Sequence, residues 1–163
     1  MNEKDNALKK HCIELLNERG VTLEDMALIV YDLQYKYCSD LTIEKCVHNL
    51  GRVLEKREVQ NAVITAVTID KLSEEGHISG PLQDMLKGDD GLYGIDEMIP
   101  LSITNIYGTI GLTNFGYLDK AKPGIIGRLN DDHENGKINV FLDDIVCALC
   151  AATCSRIAHN KKQ

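Results

Sequence analysis

Residues 140–152 read VFLDDIVCALCAA, and this stretch decides the fold. On a helix built from it, every face is apolar or small apart from two adjacent carboxylates. A helix that is hydrophobic all round is normally buried, so we predict a buried final helix from about Asn139 to His159. Burying the ionised side chains of Asp143 and Asp144 together is strongly unfavourable unless cations compensate them.

The first half of the chain carries apolar residues at helical spacing, interrupted by clear start and stop signals. Thr22 followed by Asp25 has the pattern of a capping box at the start of a second helix. Thr42 is placed to cap a third helix, and a fourth helix follows a charged hinge and ends near Gly76. No segment alternates with a period of two residues, so we expect no sheet.

The second half contains an uncharged run at residues 98–118. We predict one long helix from Leu92 to about Asp119, bent near Pro100, where proline removes a backbone hydrogen bond. The run approaches the roughly 20 residues that a membrane span needs. Its hydroxyl and amide side chains would be costly in lipid, so a central helix buried by other helices is favoured. Lys122, Pro123 and Gly124 then interrupt the helical pattern, and a short helix that reaches Asn130 follows.

These patterns predict an all-α, single-domain multi-helix bundle over residues 1–163, with a long bent central helix and an acidic site between the C-terminal helices. The 25 acidic residues outnumber the 18 Lys and Arg residues and give a net charge of −7. This charge argues against nucleic acid as a partner and against unaided docking on an anionic membrane. Residues 1–10 lack the apolar run of an export signal, so we expect a cytoplasmic protein whose six cysteines are reduced.

Five acids of the second half stand in apolar surroundings: Asp96, Glu97, Asp119, Asp143 and Asp144. Between Lys87 and Lys120 the sequence has no Lys, Arg or His that could neutralise the first two. A bound divalent cation would compensate these carboxylates, and oxygen-only ligands suit Mg²⁺ or Mn²⁺ better than zinc. Lys120, Lys122 and Arg128 follow Asp119 closely and would place anion-binding groups beside the metal.

A purely structural interpretation competes with this metal site. In that interpretation Asp96 only stabilises the start of a helix, and Asp143 and Asp144 pair with arginines. The candidate arginines are Arg52, Arg57 and Arg156. For five acids in three apolar settings, we favour the metal site.

The cysteines of the final helix suggest two other chemistries that we do not favour. Cys150 and Arg156 have the spacing of a cysteine-dependent phosphatase loop, but they fall on a predicted helix that lacks the loop glycine. Cys147, Cys150 and Cys154 would all lie on one helix. Three thiols placed in this way are better suited to packing in the core than to binding zinc or an iron–sulfur cluster.

Three segments resemble a known family. Residues 115–123 (FGYLDKAKP) and 141–146 (FLDDIV) resemble the C-terminal signature of phosphatidylglycerophosphatase A, and residues 92–97 (LYGIDE) resemble its hydrophobic-Asp-Glu segment. The whole chain resembles the soluble branch called low temperature requirement C-type proteins. The glycine- and proline-rich N-terminal signature of the family is absent from residues 1–90, so the resemblance is stronger for metal binding than for lipid phosphatase activity.

The resemblance implies a Mg²⁺-dependent phosphatase of phospholipid biosynthesis that converts phosphatidylglycerophosphate to phosphatidylglycerol and phosphate. By the same resemblance the five acids match the family's acidic positions and would bind the metal, and Lys122 matches its lysine before proline. We expect Asp119, Lys122 and Asp143 to be catalytic, and Lys122 with Arg128 to hold the phosphate.

Two classes of function follow from the sequence. The first is a phosphatase, acting on the lipid with at most peripheral membrane contact or on a soluble phosphate ester. The second is a non-catalytic helical module that binds a divalent metal. An apolar face beyond what one bundle can bury would indicate a homodimer.

Overall fold

A computed structural model describes residues 3–89, 91, 93–132 and 136–160, and all regular secondary structure in these ranges is helical. The all-α prediction is therefore confirmed. The helices are α1 (Glu3–Glu18), α2 (Leu23–Gln34), α3 (Ile43–Val53), α4 (Arg57–Glu74), α5 (Pro81–Gly88), α6 (Ile95–Thr104), α7 (Gly108–Ala121), α8 (Ile125–Asp131) and α9 (Leu142–Asn160), with a 3₁₀ helix at Asn105–Tyr107.

Side-chain caps fix where the early helices begin. The Thr22 hydroxyl accepts the Asp25 backbone N–H at 3.1 Å, and Asp25 Oδ2 accepts the Thr22 N–H at 3.1 Å. This pair is the predicted capping box. The Thr42 hydroxyl likewise accepts the Lys45 N–H at 3.3 Å, as predicted.

The central helix is α9, which packs against α2, α3, α4, α6, α7 and α8. Every residue from Leu142 to Ser155 is buried, so the predicted buried helix is confirmed. It begins at Leu142 rather than Asn139, because the residues before it adopt turn and loop conformations.

The prediction of one long bent central helix is wrong. Residues 95–121 form two helices, separated by the 3₁₀ turn at Asn105–Tyr107 and by Gly108, whose φ is 70°. Glycine adopts this left-handed region without a steric cost, so the break falls there and Pro100 lies inside α6. The predicted first residue, Leu92, lies outside the described residues.

Helix α7 also lies nearer the surface than predicted. Its buried residues are Gly111, Phe115 and Leu118, which form one face against α9. The Thr113 hydroxyl and the Asn114 amide donate to carbonyl groups one turn earlier in α7. Polar side chains on its other faces therefore keep α7 out of the centre, which the uniformly apolar α9 occupies.

From the sequence we expect reduced cysteines and no helix across a membrane. All six cysteines are free, and all but Cys38 are buried. Among the residues that the structure describes, no helix combines the length and the apolar character needed to cross a bilayer.

Candidate active site

A small cavity of about 100 Å³ lies where the ends of five helices, α5 to α9, meet. It brings together all five acids of the sequence analysis and Lys122. Its lining residues are Asp89, Asp96, Glu97, Asp119, Lys122, Asn130, Asn139, Val140, Asp143 and Asp144. The acids come from the first turns of α6 and α9 and from the last turn of α7, so segments far apart in sequence converge on one polar space.

The Lys122 ammonium group bridges two of these acids. Its Nζ donates a hydrogen bond of 2.7 Å to Asp143 Oδ2 and lies 3.1 Å from Asp119 Oδ1. Burial lowers the pKa of Lys122, but the charges and hydrogen bonds of Asp143 and Asp119 outweigh burial and raise it above its ordinary value. The side chain therefore carries a full positive charge beside the acids.

The backbone at Lys122 adopts a conformation that directs its side chain into the cavity. Its φ of 44° and ψ of 52° are left-handed, and its N–H donates to the Leu118 carbonyl at 2.8 Å to end α7. A non-glycine residue in this region is uncommon and mildly strained. Gly127 makes the turn possible, because a Cβ there would lie 2.6 Å from the Lys122 carbonyl oxygen.

The two adjacent carboxylates of α9 have different surroundings. Asp143 pairs with Lys122, and its Oδ1 accepts the Asp144 backbone N–H at 2.9 Å. Asp144 is 4% exposed, and its Oδ1 has no hydrogen-bond partner among the described residues. Burial and the charges of Asp143 and Asp119 raise the pKa of Asp144 to about 8. Burial also raises the pKa of Asp143, and Lys122 opposes this effect.

A second buried carboxylate oxygen also lacks a partner. This atom is Asp96 Oδ1, in the first turn of α6, and none of the described residues donates to it. Native proteins leave few buried polar atoms unpaired, so two such oxygens lining one cavity mark a place where a ligand can bind. Because both atoms are carboxylate oxygens, the ligand that they require is a cation or a hydrogen-bond donor.

Sequence reasoning missed the residues that fix the start of α9. Asp70 on α4 is fully buried and accepts the backbone N–H groups of Phe141 and Leu142 at 2.9–3.2 Å. Burial raises the pKa of Asp70, and these two N–H groups oppose the rise. Its sequence signal is an acid on the apolar face that Ala66 and Val67 define one turn earlier.

Arg19 binds the segment that immediately precedes α9. Its side chain, 7% exposed, donates to the Ile138 carbonyl at 2.9 Å, to Asn139 Oδ1 at 2.6 Å and to Glu74 at 2.9 Å. No local pattern marks Arg19, because each of these partners is at least 55 positions away.

Arg128 does not line the cavity. Its guanidinium group lies 3.3 Å from Asp25, on the far side of the turn that contains Pro123 and Gly124. Its role as a phosphate ligand therefore stays a prediction without a contact to support it.

The arginines of the structural alternative have other partners. Arg52 pairs with Glu55 at 2.6 Å, Arg57 pairs with Asp5, and Arg156 donates to Asn49 at 3.1 Å. Lys122, rather than an arginine, compensates Asp143.

The cysteine chemistries find no support. Cys150 lies within α9 and is fully buried, and burial raises the pKa of its thiol well above the ordinary value. Such a thiol is not the thiolate that a cysteine-dependent phosphatase needs. Cys147 and Cys154 are also core residues, as predicted.

The acids fit a hard divalent cation by chemistry, and two of their oxygens lack partners. In the part of the chain that the structure describes, however, no three Asp, Glu, His or Cys side chains are close enough to ligate one ion. Lys122 stands between Asp119 and Asp143 instead. The donor set is therefore present, and its carboxylates have to move together before they can hold a metal.

The chain is also similar to known proteins. Residues 21–159 match the family described as phosphatidylglycerophosphatase A. The chain is 50% identical to the uncharacterized protein YutG of Bacillus subtilis over 161 residues, which cover 99% of this chain and 96% of that protein.

Two solved structures are also similar. The crystal structure of YpjQ from Bacillus subtilis has a TM-score of 0.91 at 50% identity and covers 97% of both chains. The crystal structure of the low temperature requirement C protein from Listeria monocytogenes has a TM-score of 0.91 at 48% identity, covering 96% of this chain and 98% of that chain. With the match over residues 21–159, these similarities confirm the resemblance seen in the sequence, and the chain belongs to the phosphatidylglycerophosphatase A family.

Proposed function

We propose that the chain is a Mg²⁺-dependent phosphatase that removes the terminal phosphate of phosphatidylglycerophosphate. Membership of the phosphatidylglycerophosphatase A family supports a phosphatase-like role. The observation that carries the finer proposal is the single cavity that unites five acids with a lysine ammonium group. Carboxylates beside a lysine combine a place for a cation with a group that binds phosphate.

The residues that would hold the metal are Asp96, Glu97, Asp119, Asp143 and Asp144. When bound, Mg²⁺ would supply Lewis-acid stabilisation of the negative charge on the phosphoryl group. The unpartnered oxygens of Asp96 and Asp144 support this assignment, because a cation satisfies both.

Lys122 would bind the phosphate. Its side chain is 29% exposed, so its Nζ is accessible to a ligand that enters the cavity. An ammonium group placed beside the phosphoryl oxygens stabilises the charge that develops on them in the transition state. In the metal-free structure, Asp119 and Asp143 contact this Nζ and keep it at the cavity.

The size of the cavity limits what enters it. Its volume is about 100 Å³, and nine of its ten described lining residues are polar or charged. A phosphate group is compatible with this space, whereas an acyl chain is not. The glycerol and lipid portions of the substrate would therefore stay outside the acidic cavity.

A soluble phosphate ester is the second candidate substrate. The polar lining of the cavity favours it, because Val140 is the one apolar side chain among the lining residues that the structure describes. The net charge of −7 also disfavours approach to an anionic bilayer.

The test is phosphate release from phosphatidylglycerophosphate in mixed micelles and from glycerol 3-phosphate, each with Mg²⁺ and with EDTA. We expect Mg²⁺-dependent release from the lipid that Asp119→Asn abolishes. Asp84→Asn, a matched change at an exposed position of α5, should retain it.

Each contrary result has a definite meaning. Release from glycerol 3-phosphate alone would replace the lipid by the soluble substrate. No release above the Asp119→Asn background, from folded protein supplied with Mg²⁺, would contradict the phosphatase and leave the non-catalytic metal-binding module.

A further inference from the structure

We infer that Lys122 is an internal counter-ion whose ammonium group occupies the cation position between Asp119 and Asp143 in the metal-free protein. When a divalent metal binds, the ammonium group leaves this position and binds the substrate phosphate instead. This inference rests on the proposed function and specifies how the metal and phosphate sites of that function are coupled. In this inference Lys122 contacts the metal-binding acids in the metal-free protein and the phosphate in the metal-bound protein.

The position of the ammonium group is the first step of the argument. Lys122 Nζ lies 2.7 Å from Asp143 Oδ2 and 3.1 Å from Asp119 Oδ1, which places a positive charge between two of the candidate ligands. An ammonium group and a divalent cation repel each other strongly at such distances in a partly buried site. The two cations therefore exclude each other from the space between Asp119 and Asp143.

Lys122 contacts only some of the acids that line the cavity. One ammonium group faces five candidate carboxylates, and its described contacts reach only Asp119 and Asp143. Asp144 lines the same cavity, is only 4% exposed, and its Oδ1 has no partner among the described residues. The buried Asp96 Oδ1 adds a second unpartnered oxygen. The lysine is therefore a partial substitute for a cation of higher charge.

The surroundings of Lys122 allow it to move. Its backbone is held as the C-cap of α7, whereas its four-carbon side chain is 29% exposed and reaches solvent. Rotation of the side chain would carry Nζ away from the carboxylates without a change of fold. The acids, at the first turns of α6 and α9 and the end of α7, could then approach a metal.

This exchange couples the two ligands. Metal binding takes the carboxylate partners from Lys122, and an anion at the mouth of the cavity replaces them. Phosphate should therefore strengthen metal binding, and by thermodynamic reciprocity the metal should strengthen phosphate binding. Without Lys122, the metal has no internal cation to displace, and the coupling disappears.

The experiment is calorimetric titration of the full chain with Mn²⁺, with and without inorganic phosphate. The variants are Lys122→Met, which removes the charge and keeps an unbranched side chain, and Lys122→Gly, which also relieves the left-handed backbone. Lys36→Met, at an exposed position just after α2 and away from the cavity, is the matched control. Thermal melting in EDTA verifies that each protein is folded.

We expect both Lys122 variants to bind Mn²⁺ at least about tenfold more tightly than the wild type, within the usual range of coupling between sites. Phosphate should tighten Mn²⁺ binding to the wild type and to Lys36→Met, but not to either Lys122 variant. Equal or weaker Mn²⁺ binding by the Lys122 variants would overturn the inference while leaving the proposed metal site intact. Absence of Mn²⁺ binding in every protein would overturn both the inference and the metal dependence of the proposed function.

Discussion

Asp70 on α4 and Phe141, which immediately precedes α9, are joined across 71 positions of the chain: the Phe141 backbone N–H lies 3.2 Å from Asp70 Oδ1 and 3.1 Å from Oδ2. The Leu142 N–H donates to the same carboxylate at 2.9 Å. The first N–H groups of a helix have no partner within it, so a side chain from α4 caps α9 from outside. This contact sets where the first turn of α9, with Asp143 and Asp144, begins.

Replacing Asp70 by alanine should therefore affect both stability and the site. The change leaves two buried N–H groups unpaired, and we expect it to lower the free energy of unfolding by about 1–3 kcal/mol. Urea denaturation measures this loss, and calorimetry should show weaker Mn²⁺ binding. Asp84→Ala, at an exposed position of α5, should stay within about 0.5 kcal/mol of the wild type. Equal effects of the two changes would show that the cap is unimportant.

A pair of glycines tests the turn that positions Lys122. A methyl group at Gly127 would lie 2.6 Å from the Lys122 carbonyl oxygen, so Gly127→Ala should displace this turn and cost about 1–3 kcal/mol. Gly116 lies on an exposed position within α7, where an added Cβ meets nothing within 4 Å. Gly116→Ala should therefore stabilise the protein by about 0.5–1 kcal/mol through helix propensity. Thermal melting distinguishes the two, and a Gly127→Ala protein as stable as the wild type would contradict the close contact.

The sequence predicts local features of the fold well. The capping box of Thr22 and Asp25 and the burial of α9 are both found, because each depends on residues within a few turns of one another. The break at Gly108 was missed, since glycine inside an uncharged run is compatible with a helix until neighbouring elements fix its φ. A proline was the stronger local signal, yet α6 accommodates Pro100.

The site was predictable where charge stood out against apolar surroundings. All five acids and Lys122 line one cavity, although their roles as ligands and catalytic groups stay predictions. Arg128 was included for its nearness in sequence to Asp119, but the turn after Lys122 directs it toward Asp25. The roles of Asp70 and Arg19 are not predictable from the sequence, because their partners are distant in sequence. An acid on the apolar face of α4 is a local signal for Asp70, but it does not identify the N–H groups that Asp70 binds.

The two adjacent acids of α9 should respond in opposite ways to the same substitution. Asp144→Asn removes a buried carboxyl group whose pKa is raised to about 8 and which must therefore take up a proton on folding at neutral pH, so we expect the metal-free protein to gain on the order of 1 kcal/mol in stability. Asp143→Asn removes the 2.7 Å partner of Lys122 and should cost about 1–3 kcal/mol. Urea denaturation in EDTA measures both changes, and both variants should bind Mn²⁺ more weakly than the wild type. A shift of stability in the same direction would contradict the difference in their surroundings.

Glu74 should make the segment before α9 sensitive to acid. Burial raises the pKa of Glu74, but hydrogen bonds from the Ile138 N–H, Arg19 and Lys137 outweigh it and lower the pKa below 4.5. A carboxyl group with a lowered folded pKa stabilises the protein fully above its unfolded pKa, and that stabilisation is lost as the pH falls through the folded pKa.

Glu74→Gln should therefore cost about 2 kcal/mol at neutral pH and progressively less in acid. Urea denaturation from about pH 7 to about pH 3 measures the difference from the wild type. Glu24→Gln, at an exposed position of α2, is the matched control, and a Glu74→Gln deficit that stays constant with pH would show that the charge of Glu74 does not hold this segment.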